Sequence, residues 1–109
     1  MNRRTATSKA LAEEASWTFL TNHAHVLLCI SRDPEIRLRD LAELVGITER
    51  AAHRIVVDLE NGGYISRERT GRRNHYEVHD HTALRHPIER HRTAASLIAL
   101  LRPERRKEH

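Results

Sequence analysis

Aromatic side chains are scarce: one tryptophan, two tyrosines and one phenylalanine among 109 residues. A core without large rings must be assembled from Leu, Ile, Val and Ala, so it is modest, and a second copy's interface is a natural source of further burial. Cysteine is rarer still. The lone Cys29, inside "HVLLCIS", excludes an internal disulfide, and its apolar neighbours suit a small buried residue. No apolar run approaches the ~18 residues that a membrane-spanning helix requires, and no short apolar stretch has the flanks of an export signal. The chain is therefore expected in the cytoplasm. Catalytic patterns are missing too: there is no nucleophile elbow with an ordered Ser, His and Asp, no phosphate loop, and no carboxylate pair in a glycine-rich setting. Neither an enzyme nor a resident cofactor is expected.

Lysine is almost absent, but arginine is not. Only Lys9 and Lys107 stand against 17 arginines, in a chain of formal charge +4 and isoelectric point about 10.0. The planar guanidinium fork matches phosphate oxygens and guanine edges, where an ammonium offers a point charge. A basic balance of this kind fits nucleic acid or another anionic surface.

Along the chain, residues 1–9 read as a flexible basic arm, 10–101 as a single domain and 102–109 as a charged tail. Ala10 to Leu20 is compatible with a helix, with Leu11, Ala15 and Phe19 on one face. Thr21 or Asn22 can cap a second helix, in which Val26, Leu27 and Ile30 recur at helical spacing until "DPE" ends it. "IRL", Ile36 to Leu38, alternates like a short lone strand. "RDLAELV" places Leu41, Leu44 and Val45 on one helical face, and Gly46 follows where a helix end accepts a left-handed residue. Thr48 is a good N-cap for "ERAAHRIVVDLENG", whose Ala52, Ile55, Val56 and Leu59 share a side. "YISRER" and "NHYEV" alternate like half-buried strands around "TGRR", with Tyr64, Tyr76 and Val78 pointing inward. A last helix is expected to align Leu84, Ile88, Ala95, Ile98 and Leu101, with Pro87 near its start.

Two short helices joined through a glycine and followed by a hairpin make a specific order. In Leu38 to Val57, Ala42 is small where the helices would cross, while Ile47, Ala52 and Ile55 plug the second helix onto the first. This is the helix-turn-helix pattern, whose second helix enters the DNA major groove. The segment Ile36 to Val78 resembles the winged helix-turn-helix domain of bacterial transcription regulators. "TERAAHRIVVDLENGGYISRERTGRRNHYEV" looks like the recognition helix, turn and wing of the MarR, IclR and ArsR groups; its first half is most similar to the IclR type and "GRRNHY" to an ArsR wing. The acidic wing tip common in MarR proteins is missing. The resemblance implies an α+β fold, mostly helical: a winged helix-turn-helix with a two-stranded wing, flanked by N- and C-terminal helices.

Four arginines surround one glycine in "RERTGRRNHYEV". If this is the wing, Arg72 and Arg73 sit at its tip, within reach of a phosphate strand or a narrow minor groove. Arg67 and Arg69 share one strand face, Glu68 takes the other, and Asn74 can contact phosphate or cap the turn. On the recognition helix, Thr48, Glu49, Arg50, His53 and Arg54 form the polar side. Thr48's amide end suits a phosphate, and Arg50 and Arg54 stand four apart for adjacent contacts. Glu49 either accepts from a cytosine amine or steadies the first turn.

Nine histidines raise a metal hypothesis. Some ArsR-type repressors hold zinc through a carboxylate and histidines on their last helix, and Asp80, His81 and His91 come nearest to that pattern. Their first spacing fails, and Cys29 is remote in sequence. His23 and His25 suit packing or capping. The reading that emerges is a double-stranded DNA-binding, repressor-like regulator working as a homodimer through its terminal helices, because one wing domain reads too short a site. Its alternatives are a metal- or ligand-responsive repressor of the same fold, with the effector unidentified, and a winged-helix module for protein contacts.

Overall fold

The structure, a computed structural model, describes residues 16–103. Helix α1 spans Asn22–Arg32, α2 Leu38–Val45 and α3 Glu49–Asn61; strands β1 (Ile65–Thr70) and β2 (Arg73–Val78) follow, then α4 (Ala94–Leu100). Each boundary has a local cause. Thr21 Oγ1 accepts from the Ala24 amide at 3.3 Å, and Thr48 Oγ1 from that of Ala51 at 3.0 Å, so two helix starts are capped by hydroxyls. Gly46 ends α2 at φ 87°, ψ 36°, a left-handed conformation that a side chain disfavours, and turns the chain directly into α3.

The three helices close on one another through small and branched apolar residues. Val26 and Ile30 from α1, Leu41 and Ala42 from α2, and Ala52 and Val56 from α3 are buried. The α3 set continues through Ile55 and Leu59, a stripe at helical spacing that leaves the opposite face to solvent. The antiparallel hairpin completes the core from one side. Its register pairs Ile65 with Val78, Arg67 with Tyr76 and Thr70 with Arg73, leaving Gly71 and Arg72 as a two-residue turn. Gly71 has φ 65°, as such tight turns demand. Ile65 and Tyr76 are buried, Val78 is packed against them, and Tyr64 is anchored by its hydroxyl to the Ala83 carbonyl at 2.7 Å.

Three expectations need correction. Ile36 to Leu38 forms no strand: Ile36 is buried as loop, Leu38 already starts α2, and it is the Pro34 carbonyl that accepts from the Tyr76 amide at 2.8 Å. Residues 16–20 are not helical, and the rest of the expected N-terminal helix lies outside the described residues. The last helix begins at Ala94; Leu84 and Ile88 lie in a looped segment before it. Pro87, which has no backbone donor, stands in that loop. The loop's backbone bonds instead run within itself and to α4's first turn: the Ala94 amide donates to Thr82 and the Ala95 amide to Asp80. From the far end of α4, the Leu101 carbonyl accepts from Arg32 Nη2 at 2.7 Å, tying α4 to α1.

Candidate nucleic-acid interface

Turning one face of α3 into the core fixes what the other face shows. Glu49, Arg50, His53 and Arg54 are exposed, and the last three stand three and four residues apart on one stripe. Among the described residues, none of these three makes a salt bridge or a side-chain hydrogen bond. Thr48 occupies one first-turn amide, and Glu49 brings a carboxylate to the positive end of the helix, a stabilising position.

The wing divides its arginines. Arg67 is half-buried and bidentate: its Nε donates to Glu60 Oε2 at 3.1 Å and its Nη2 to Glu60 Oε1 at 3.0 Å. Its guanidinium therefore bolts β1 to the end of α3 and is engaged within the protein. Arg69 shares that strand face, as the alternation requires, and bends back to the Gly71 carbonyl with Nε at 3.4 Å. Arg72 in the turn and Arg73 opening β2 are exposed and make no ion pair among the described residues. Asn74 is half-buried opposite Arg69. Glu68 lies on the outer face opposite His75, whose Nδ1 is 3.3 Å from Glu35 Oε2.

Two features escaped the sequence reading. Glu60 positions the wing, yet in sequence it is one more acid at a helix end. Arg37 and Arg39 flank the start of α2, exposed and without ion-pair partners among the described residues. The signal for them was present in "IRLRDL", where arginines alternate with the residues that begin the first helix of the motif.

The histidines are dispersed. His23 Nε2 lies 2.8 Å from Asp58 Oδ2, joining α1 to α3, and His25 Nδ1 lies 3.2 Å from Asn22 Oδ1, so both act in helix packing and capping. His79 reaches Ser66 at 3.1 Å. Among the described residues no three His, Cys, Asp or Glu side chains come close enough to hold a metal, so Asp80, His81 and His91 form no ligand set. Cys29 is half-buried; burial pushes its thiol pKa up, and nearby Arg32 offsets part of that shift. No helix among the described residues is long and apolar enough to cross a membrane.

Residues 21–66, from the cap of α1 to the second residue of β1, match a family model described as winged helix-turn-helix DNA-binding. Over this segment the chain is similar to a winged helix-turn-helix DNA-binding domain, and its helices and hairpin have that fold. The structure extends it through β2, which supplies the second strand of the wing. In winged helix-turn-helix terms α2 and α3 are the motif and the β1–β2 hairpin is the wing. The match does not separate the MarR, IclR and ArsR groups. A comparison with curated proteins finds no match to this chain.

Proposed function

We propose that this protein is a repressor-like transcription regulator that recognises a specific sequence in double-stranded DNA. Helix α3 enters the major groove with Arg50, His53 and Arg54 toward base edges, and Arg72 and Arg73 at the wing tip hold the backbone or the adjacent minor groove. The supporting observation is the exposed α3 stripe, without salt-bridge or side-chain hydrogen-bond partners among the described residues and opposite the residues that seat the helix in the core. Arg37, the N-cap, and Arg39 stand at the start of the first helix of the motif, which in such proteins crosses the phosphate backbone. Arg69 and Asn74 support the wing from its inner face, and Arg67 acts through position alone. Two copies acting on a two-fold site, with recognition helices about 34 Å apart, give the reading length that one copy lacks.

Selection of bound fragments from random duplex DNA, followed by titration of the enriched site against a shuffled one, tests this reading. Enrichment of one motif, with affinity falling steeply as salt rises, is the expected outcome. Equal affinity for enriched and shuffled duplexes would overturn sequence recognition.

A further inference from the structure

At the C-terminal end of α3, away from the arginine stripe, the surface opens into a groove of about 1000 Å³. Its floor is apolar: Leu27 of α1, Leu59 of α3 and Leu97 of α4 line it. Phe19 stands on its rim 91% exposed, with Trp17 packed edge-on against it at 5.0 Å and itself 68% exposed. The other wall is the segment before α4, from which Leu84, Arg85 and Glu89 line the groove.

That wall is a braced loop. The Leu84 amide donates to the Arg92 carbonyl at 2.9 Å and a bridge joins Ala83 to Thr93, closing its neck. Within it, the Ile88 amide donates to His86 Nδ1 at 3.1 Å, the Glu89 amide to the His86 carbonyl and the Arg92 amide to the Glu89 carbonyl. A compact loop with joined ends holds its side chains in place. This one holds Ile88 out at 76% exposure, among the exposed Arg85, Arg90 and Arg92.

An apolar floor bordered by exposed aromatic and aliphatic side chains has the composition of an interface. Its charge identifies the partner. Arg85 lines the groove beside Glu89, and the same loop adds the exposed Arg90 and Arg92 next to it, while Asp58, the groove's other carboxylate, is already engaged by His23 at 2.8 Å. Two copies meeting across this face would bring their arginines together, which opposes self-pairing. DNA offers phosphate for the arginines but nothing apolar for the leucine floor. We propose that the groove docks an acidic amphipathic helix of a partner protein, its apolar stripe on Leu27, Leu59 and Leu97 and its carboxylates on Arg85, Arg90 and Arg92.

Trp17, the only tryptophan in the chain, stands beside the groove and supplies the readout. The full chain is titrated with a synthetic helix of about 18 residues, leucines at helical spacing and glutamates elsewhere, and with a peptide of the same composition whose leucines are scattered. The striped peptide is expected to shift Trp17 emission to the blue and to bind at least ~10-fold more tightly than the scattered one. Arg85→Glu combined with Arg90→Glu, both at exposed positions, should remove about tenfold of that affinity, while Arg72→Ala with Arg73→Ala leaves it unchanged. Equal binding of the two peptides, or loss through the wing variant instead of the loop variant, overturns the proposal. So does a parent dimer that Leu84→Asp converts to monomer, because the face then belongs to a second copy. All of these readouts are independent of DNA, so failure of the DNA reading would leave the inference standing.

Discussion

Helix α3 and the wing both carry arginines at the surface, and they hold them by different means. Arg50 and Arg54 are aimed by burial: Ala52, Ile55, Val56 and Leu59 sink one face of the helix and the arginines take the other. The wing has almost no core of its own, with only Ile65 and Tyr76 buried along its two strands. It is aimed instead by polar ties, Arg67 to Glu60 and the Tyr76 amide to Pro34. An arginine on a packed helix can therefore be changed without disturbing its neighbours' positions, whereas one wing arginine is part of the frame that positions the other three.

The difference can be broken most severely at the helix seat. Leu41→Ala, at a fully buried position of α2, should cost about 2–5 kcal/mol in urea unfolding and loosen α3 with it. Removing a reader rather than its seat should cost less: Arg54→Ala or Arg50→Ala is expected to lose about 1–3 kcal/mol on the selected site with an unchanged unfolding midpoint. A loss of the same size on shuffled duplexes would make that arginine a phosphate anchor. Arg72→Ala with Arg73→Ala should weaken all duplexes alike and flatten the log–log salt slope by about one to two units. An unaltered slope would remove the wing tip from the interface. Glu60→Ala should cost about 1–2 kcal/mol, because it leaves a guanidinium that is about a quarter exposed without its bidentate partner, and it should raise amide exchange throughout β1 and β2. Smallest of all is the effect at Cys29. Burial favours its neutral thiol, so alkylation near pH 8 should be slow in the native protein and accelerate in urea, when the pKa returns to its ordinary value. Equal rates in both states would contradict that burial.

What the sequence made legible was what local chemistry decides. Gly46 and Gly71 sit where the backbone turns left-handed, Thr48 caps α3 through its own hydroxyl, and α3's buried stripe follows its spacing. The order of helices and the two strands followed from these. Local spacing told least where the deciding partner is distant. Arg67, read as a DNA contact, is paired with Glu60, a partner that meets it only after β1 folds back along α3. Leu84 and Ile88 matched a helical stripe through Ala95, but the loop's internal bonds and its closure onto Thr93 override that period. Ile36 to Leu38 alternated like a strand, although Leu38 already belongs to the α2 spacing.

The ties on the wing also have a mechanical meaning. One fastens β1 to α3 and the other fastens β2 to the turn before α2, so the hairpin is clamped to the motif along both edges. Clamped in this way, α3 and the wing tip behave as the two jaws of a caliper locked at one opening. On the proposed reading, a locked caliper would not follow the groove, and the duplex would bring its grooves to the spacing of the jaws. Over- or underwinding the DNA shifts that spacing and charges the misfit to the duplex. On the proposed DNA-binding reading, the superhelical state of a duplex would change how well it fits that fixed spacing.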